Sequence, residues 1–176
     1  MRLFVAVPVP EGLKEKLAGL GKEIEQDGIR FVKPENMHLT LKFIGEVDDA
    51  ELPAIEEKLK AISFAPMGCT LKGVGVFPNE DYIKVVWAGC ESGGKLEALA
   101  KDVMDALHGY GDTRPFSAHL TIARVKRKLD LKDFLQKHRD ELFGEFEAKE
   151  FHLISSVLKP GGPEYTTLAT IEAEDV

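Results

Sequence analysis

The stretch Met37-His38-Leu39-Thr40-Leu41-Lys42-Phe43-Ile44 reads as a β-strand with two unlike faces. Met37, Leu39, Leu41 and Phe43 share one parity, and His38, Thr40 and Lys42 share the other. Side chains alternate across a strand, so the first set packs inward while the second presents an imidazole, a hydroxyl and an ammonium on one side. The pattern returns at His119-Leu120-Thr121-Ile122, 119 − 38 = 81 residues further on and close to half of the 176-residue chain. A lone His-x-Thr on a strand is more often a core feature than a site. Two copies at this spacing, each with its own apolar face, point to an internal duplication.

Outward from that strand, residues 2–8 alternate β-branched and aromatic side chains and predict a strand ended by Pro8 and Pro10. Leu13, Leu17, Leu20 and Ile24 recur at helical spacing, predicting a helix from Glu11 to about Gln26. A short strand is expected at 30–33, followed by a helix capped by Asp48 or Asp49 that runs to Ala61. Residues 67–77 and 81–88 form a hairpin around Pro78-Asn79-Glu80-Asp81. A helix from Ser92 to Tyr110 is built on Leu96, Leu99, Val103, Ala106 and Leu107. Beyond it, a strand is expected at 116–125, a helix at 130–138, a long strand at 145–157 and a last strand at 165–172. Hairpins mixed with helices, without strict βαβα alternation, predict an α+β protein with antiparallel sheets and helices on their outer faces.

A chain of this length with 44% hydrophobic residues fits one compact domain, residues 1–176, so a two-part organisation means two lobes sharing a cleft. The net charge of −7 argues against a protein that wraps a long duplex, while leaving room for a substrate held at one terminal phosphate. Cys69 and Cys90 stand alone, without zinc-ligand spacing, and are expected to be reduced, buried thiols. The N-terminus has no signal-peptide pattern, and no apolar run approaches the roughly 20 residues that span a bilayer. A cytoplasmic protein with no membrane partner, no metal and no cofactor is therefore expected, acting as a monomer.

Residues i and i+2 of a strand point the same way, so each motif sets one imidazole beside one hydroxyl. Facing each other across a cleft, two such strands suit phosphate-ester chemistry. With an ordinary pKa near 6.5, one imidazole accepts a proton from water while the other donates one to a departing oxygen. The hydroxyls of Thr40 and Thr121 can stabilise the non-bridging oxygens as phosphorus becomes pentacoordinate.

HLTLKFIG at 38–45 and HLTIAR at 119–124 resemble the two HxTx motifs of the two-histidine phosphoesterase superfamily. Within it, MRLFVAVPVP at the N-terminus, GVGVFPN at 73–79 and the Ser156 to Tyr165 pattern are similar to the RNA 2′,3′-cyclic phosphodiesterases, also called 2′-5′ RNA ligases. The resemblance covers essentially the whole chain. It implies a bilobal, pseudo-twofold, duplicated fold, with two antiparallel sheets facing across a central cleft. It also implies metal-independent opening of an RNA 3′ end bearing a 2′,3′-cyclic phosphate to a 2′-phosphate. By the same resemblance His38 protonates the leaving 3′ oxygen, His119 activates water, and Thr40 and Thr121 bind the phosphate.

Arg124 could hold phosphate or stack on a base, but its parity matches Leu120 and Ile122, so it reaches the cleft only if the strand bulges or ends first. Lys42 could add positive charge. Phe77, Tyr82 and Tyr165 are stacking candidates for which core packing is the better reading, and Lys126-Arg127-Lys128 reads as a solvated turn. His108 and His138 fall near predicted helix C-termini, where the dipole accounts for them, and His152 has no HxT partner. Gly93-Gly94 and Gly161-Gly162 lack phosphate-loop spacing, so nothing points to ATP. Two other readings stand beside hydrolysis: 2′-5′ ligation as the reverse reaction, and a nucleotide-binding module without turnover.

Overall fold

The computed structural model describes residues 1–174. In chain order the elements are β1 (Arg2–Val7), α1 (Glu11–Gly21), β2 (Ile29–Phe31), β3 (Leu39–Glu46), α2 (Leu52–Lys60), β4 (Met67–Asn79) and β5 (Tyr82–Glu91). They continue with α3 (Lys95–Ala106), β6 (His119–Val125), α4 (Lys132–His138), β7 (Leu142–Ala148), β8 (Glu150–Lys159) and β9 (Gly162–Glu172). With the three-residue β2 set aside, the series β1-α1-β3-α2 recurs as β5-α3-β6-α4, each copy carrying its His-x-Thr at the start of its second strand. The duplication expected from the paired motifs is thus a duplication of elements.

The fold is α+β, with strands in the order β7-β4-β5-β6-β3-β1-β8-β9 and β2 paired to β6. The two sheets expected are joined into one nine-stranded sheet, of which they form the two halves. All pairings are antiparallel, and the halves meet where Leu39 of β3 pairs with Leu120 of β6. Each half completes itself with strands from beyond its own repeat. Strands β4 and β7 extend β5-β6, whereas the C-terminal hairpin β8-β9 extends β1-β3.

That exchange explains the main departure from the sequence expectation. The strand expected at 145–157 is two strands broken at Lys149, because β7 pairs with β4 in one half while β8 pairs with β1 in the other. The first helix ends at Gly21 and tightens into a 3₁₀ turn at Lys22–Ile24 instead of continuing to Gln26. Gly21 lies against β2 and β6: a side chain there would come within 3.1 Å of the Phe31 ring and 3.2 Å of Ile122. Helix α3 begins later than expected, with Ser92 Oγ accepting from the Leu96 amide at 2.9 Å, and buries Leu96, Leu99, Ala100 and Val103. Asn79 Oδ1 closes the β4-β5 turn by accepting from the amides of Asp81 and Tyr82, both at 2.9 Å.

One apolar cluster runs under both halves, with Leu39 and Leu120 each fully buried in it. A second, small cluster of Phe4, Ala6 and Ile154, with Tyr165 packed against it, lies apart. Among the described residues no helix is long and apolar enough to cross a membrane.

Because strands are exchanged between the halves and the core is shared, we propose that the chain unfolds as one cooperative unit. The fluorescence of Trp87, in the second half, and far-ultraviolet circular dichroism should report a single coincident urea transition. Leu120→Ala should lower stability by about 2–5 kcal/mol without splitting it. Two separated transitions would show halves that unfold independently.

Candidate active site

Both His-x-Thr strands carry a bulge at the same place. In β3 the partners step from Ala6↔Thr40 to Val5↔Lys42, leaving Leu41 unmatched. In β6 they step from Trp87↔Thr121 to Val86↔Ala123, leaving Ile122 unmatched. A bulge inserts one residue and reverses the facing of all that follow. Leu41 and Lys42 are accordingly buried in succession, as are Ile122 and Ala123, after which Phe43 and Arg124 emerge exposed.

The condition set for Arg124 is met by this bulge. The reversal of facing after Ile122 turns Arg124 to the side of His119 and Thr121, and its charge lowers the pKa of His119. Lys42 goes the other way: its Nζ is turned from the motif face and donates to the Asp112 carbonyl at 2.6 Å. Desolvation lowers the pKa of this lysine, only partly offset by Asp112. Phe43, assigned by parity to the core, is 50% exposed and stands 6.1 Å from the Phe4 ring.

The two imidazoles are held alike. His38 Nδ1 donates to the Asn36 carbonyl at 3.2 Å, and His119 Nδ1 donates to the Ser117 carbonyl at 2.9 Å. A carbonyl only accepts, so each Nδ1 carries the hydrogen and each neutral ring keeps its lone pair on Nε2. Asn36 is itself anchored, its Nδ2 donating to the Pro163 carbonyl of β9 at 3.0 Å. Aromatic rings wall both histidines. His38 lies 6.1 Å from Phe4 and 5.7 Å from Tyr165, while His119 lies 5.0 Å from Phe77 and 6.2 Å from Trp87.

With Leu39 opposite Leu120 and both turned into the core, the residues flanking them on each strand turn to the other face. His38, Thr40, His119 and Thr121 are those residues, each partly buried. The electrostatics link the same groups: the charge of Arg124 contributes to lowering the pKa of His119 and opposes the rise that burial gives Tyr165, whose ring lies beside that of His38. Both halves thus offer aromatic surface around their imidazoles, and the second adds the charge of Arg124.

Burial lowers the pKa of both histidines, partly offset by their carbonyl bonds. Lys14 and His152 push His38 further down, and Arg124 does the same to His119. Both shifts favour the neutral ring in the unliganded protein.

Several residues around the site were not singled out in the sequence: Phe4, Phe43, Trp87, and the carbonyls of Asn36 and Ser117. The one visible trace is a polar residue two positions before each histidine, Asn36 and Ser117. Gly75 of β4 belongs with Trp87, since a side chain there would fall 2.3 Å from the indole ring. Tyr82 is exposed at the β4-β5 turn with Lys84 over its ring. Lys126, Arg127 and Lys128 are exposed, as is His108. His138 is buried between Glu23 and Glu141, at 3.0 and 3.3 Å. His152 bonds to Glu150 at 2.5 Å and is near enough to His38 to affect its charge. Among the described residues no group of three or more His, Cys, Asp or Glu gathers to hold a metal.

A histidine whose pKa is lower in the folded than in the unfolded chain favours folding fully above the ordinary value of 6.5, and that contribution is lost as the pH falls below it. Proton NMR should therefore place both ring titrations below 6.5 and show inorganic phosphate raising at least one of them. Replacing both rings, His38→Gln with His119→Gln, should flatten the fall in stability on the acid side of pH 6.5. Titration at or above 6.5 without phosphate would contradict the burial of these rings.

The model of the family described as LigT like phosphoesterase matches this chain twice, over residues 7–87 and 90–165, once for each motif. The chain is 43% identical to the RNA 2′,3′-cyclic phosphodiesterase of Archaeoglobus fulgidus, over 98% of this chain and 100% of that one. It is 42% identical to the protein of the same name from Methanocaldococcus jannaschii, over 96% and 98% of the two chains. Among solved structures it resembles TT0787 of Thermus thermophilus, with a TM-score of 0.81 and 34% identity over 98% of this chain and 97% of that one. E. coli LigT complexed with NADP+ superposes with a TM-score of 0.83 at 25% identity, over 99% and 98% of the chains. A duplicated element series, a fold shared along its whole length and a family model that fits each half in turn agree: this chain belongs to the LigT-like phosphoesterase family.

Proposed function

We propose that the chain hydrolyses RNA ending in a 2′,3′-cyclic phosphate to leave a 2′-phosphate, by acid–base catalysis from two imidazoles without a metal. The observation that carries this reading is the shared setting of His38 and His119, each with Nδ1 tied to the carbonyl two residues before it and Nε2 left for substrate. The relatives named RNA 2′,3′-cyclic phosphodiesterase support the substrate.

In this reading His119 Nε2 takes a proton from water as its oxygen attacks phosphorus. The bond from phosphorus to the 3′ oxygen breaks, and His38 Nε2 delivers a proton to that oxygen. Water is added across one bond, so protons and charge balance. Arg124 favours a neutral His119, as a base requires, and supplies positive charge for the phosphate. Thr40 and Thr121 donate hydrogen bonds to the non-bridging oxygens.

Burial favours the neutral form of both histidines in the empty site, so in this reading the acid gains its proton with the substrate. The phosphate supplies the reason, because a nearby negative charge favours the imidazolium. Burial strengthens that attraction by lowering the effective dielectric around it. Cys69 and Cys90 are free thiols, which suits a reducing compartment, and the reading places the reaction in the cytoplasm.

An oligoribonucleotide ending in a 2′,3′-cyclic phosphate should be opened in the presence of a chelator. His38→Ala and His119→Ala should each reduce kcat by about 10² to 10⁴-fold while circular dichroism shows the native fold. Full activity in either variant would overturn the paired mechanism, and loss of activity in chelator would overturn its independence from metal.

A further inference from the structure

Strand β2 sets Arg30 directly opposite Arg124 of β6. Opposed residues on neighbouring strands project from the same face, and like charges there destabilise the sheet. In a chain of net charge −7, a carboxylate would be the ready remedy. Yet among the described residues the arginines paired with carboxylates are Arg114 and Arg139, and neither Arg30 nor Arg124 has such a partner.

More cations gather beside this pair. The turn between β8 and β9 comes across from the other half, so that a Cβ on Gly162 would lie 3.6 Å from Arg30 Nη2. One on Gly161 would lie 3.8 Å from Lys33 Nζ. Lys159 ends β8 at the same turn, and Arg30, Lys33 and Lys159 are all exposed. Asn36, which holds His38 through its carbonyl, reaches Pro163 of this turn, so the cations border the motif face. Glu35 and Glu164, the carboxylates adjacent in sequence, are exposed and make no ion pair with them among the described residues.

We propose that Arg30 and Lys33, continued by Lys159, form a rim that binds the phosphates of single-stranded RNA upstream of its reacting 3′ end. The inference rests on the cyclic-phosphate reading and adds to it the residues that hold the RNA strand beyond its reacting end. Arg124 attends the reacting phosphate, and Arg30 takes the next one along the strand. So few cations suit a short single-stranded tail, whereas a long duplex would place many phosphates against an acidic protein.

The test compares a nucleoside 2′,3′-cyclic phosphate with a hexaribonucleotide ending in the same group, using the parent chain, Arg30→Gln and Lys33→Gln. The parent should show a KM about tenfold lower for the hexamer, rising with salt, and each substitution should reduce the slope of log KM against log salt by about 0.7. Mononucleotide turnover should change less than twofold. Equal KM values for the two substrates in the parent, or a hexamer KM unmoved by both substitutions, would overturn the rim. So would equal losses on both substrates, which would place these residues in the reaction centre. Anisotropy of a labelled hexamer ending in an ordinary 3′-hydroxyl separates the two proposals. If no cyclic phosphate is opened but binding still weakens in Arg30→Gln, the rim stands and the proposed reaction falls.

Discussion

Leu39 and Leu120 meet at the centre of the molecule as the pair through which β3 and β6 join. Both are fully buried, and each therefore forces its flanking histidine and threonine to the opposite face. A one-residue slip in either strand would carry an imidazole into the apolar core and expose a leucine, so the packing that stabilises the fold also fixes the site. The ladder between these strands is one pair long, and the hydrogen bonding of each half runs outward through β5 or β1. The two halves are free to diverge on either side of their junction.

The bulges at Leu41 and Ile122 then separate what duplication made alike. Each turns the fifth residue after its histidine back to the motif face, which in the first half is Phe43 and in the second Arg124. One lobe thereby gains a partly exposed aromatic surface and the other a charge. Burial acts on both imidazoles in the same direction, and the carbonyls of Asn36 and Ser117 fix the same tautomer in each. The difference between the halves lies in what surrounds the rings.

Exchange of strands has a further consequence for the site. Because β8 and β9 join the first half from the far end of the chain, Tyr165 and Pro163 come to lie beside His38 and Asn36. Their hairpin turn also brings Gly161 and Gly162 next to Lys33 and Arg30. Residues at opposite ends of the sequence thus share one edge of the motif face.

The sequence by itself determined the α+β class, the duplication, and the facing of His38, Thr40, His119 and Thr121, because alternation along a strand is a local property written in residue order. Helices built on Leu17 and Leu20, or on Leu96, Leu99 and Val103, were legible for the same reason. Only the tertiary structure decided where Lys42, Phe43 and Arg124 point, since a bulge depends on the register of the partner strand and leaves no mark of its own in composition. It also decided the break at Lys149 and the opposition of Arg30 to Arg124. Each follows from which strand a segment pairs with, and that choice is made by packing between residues far apart in the chain.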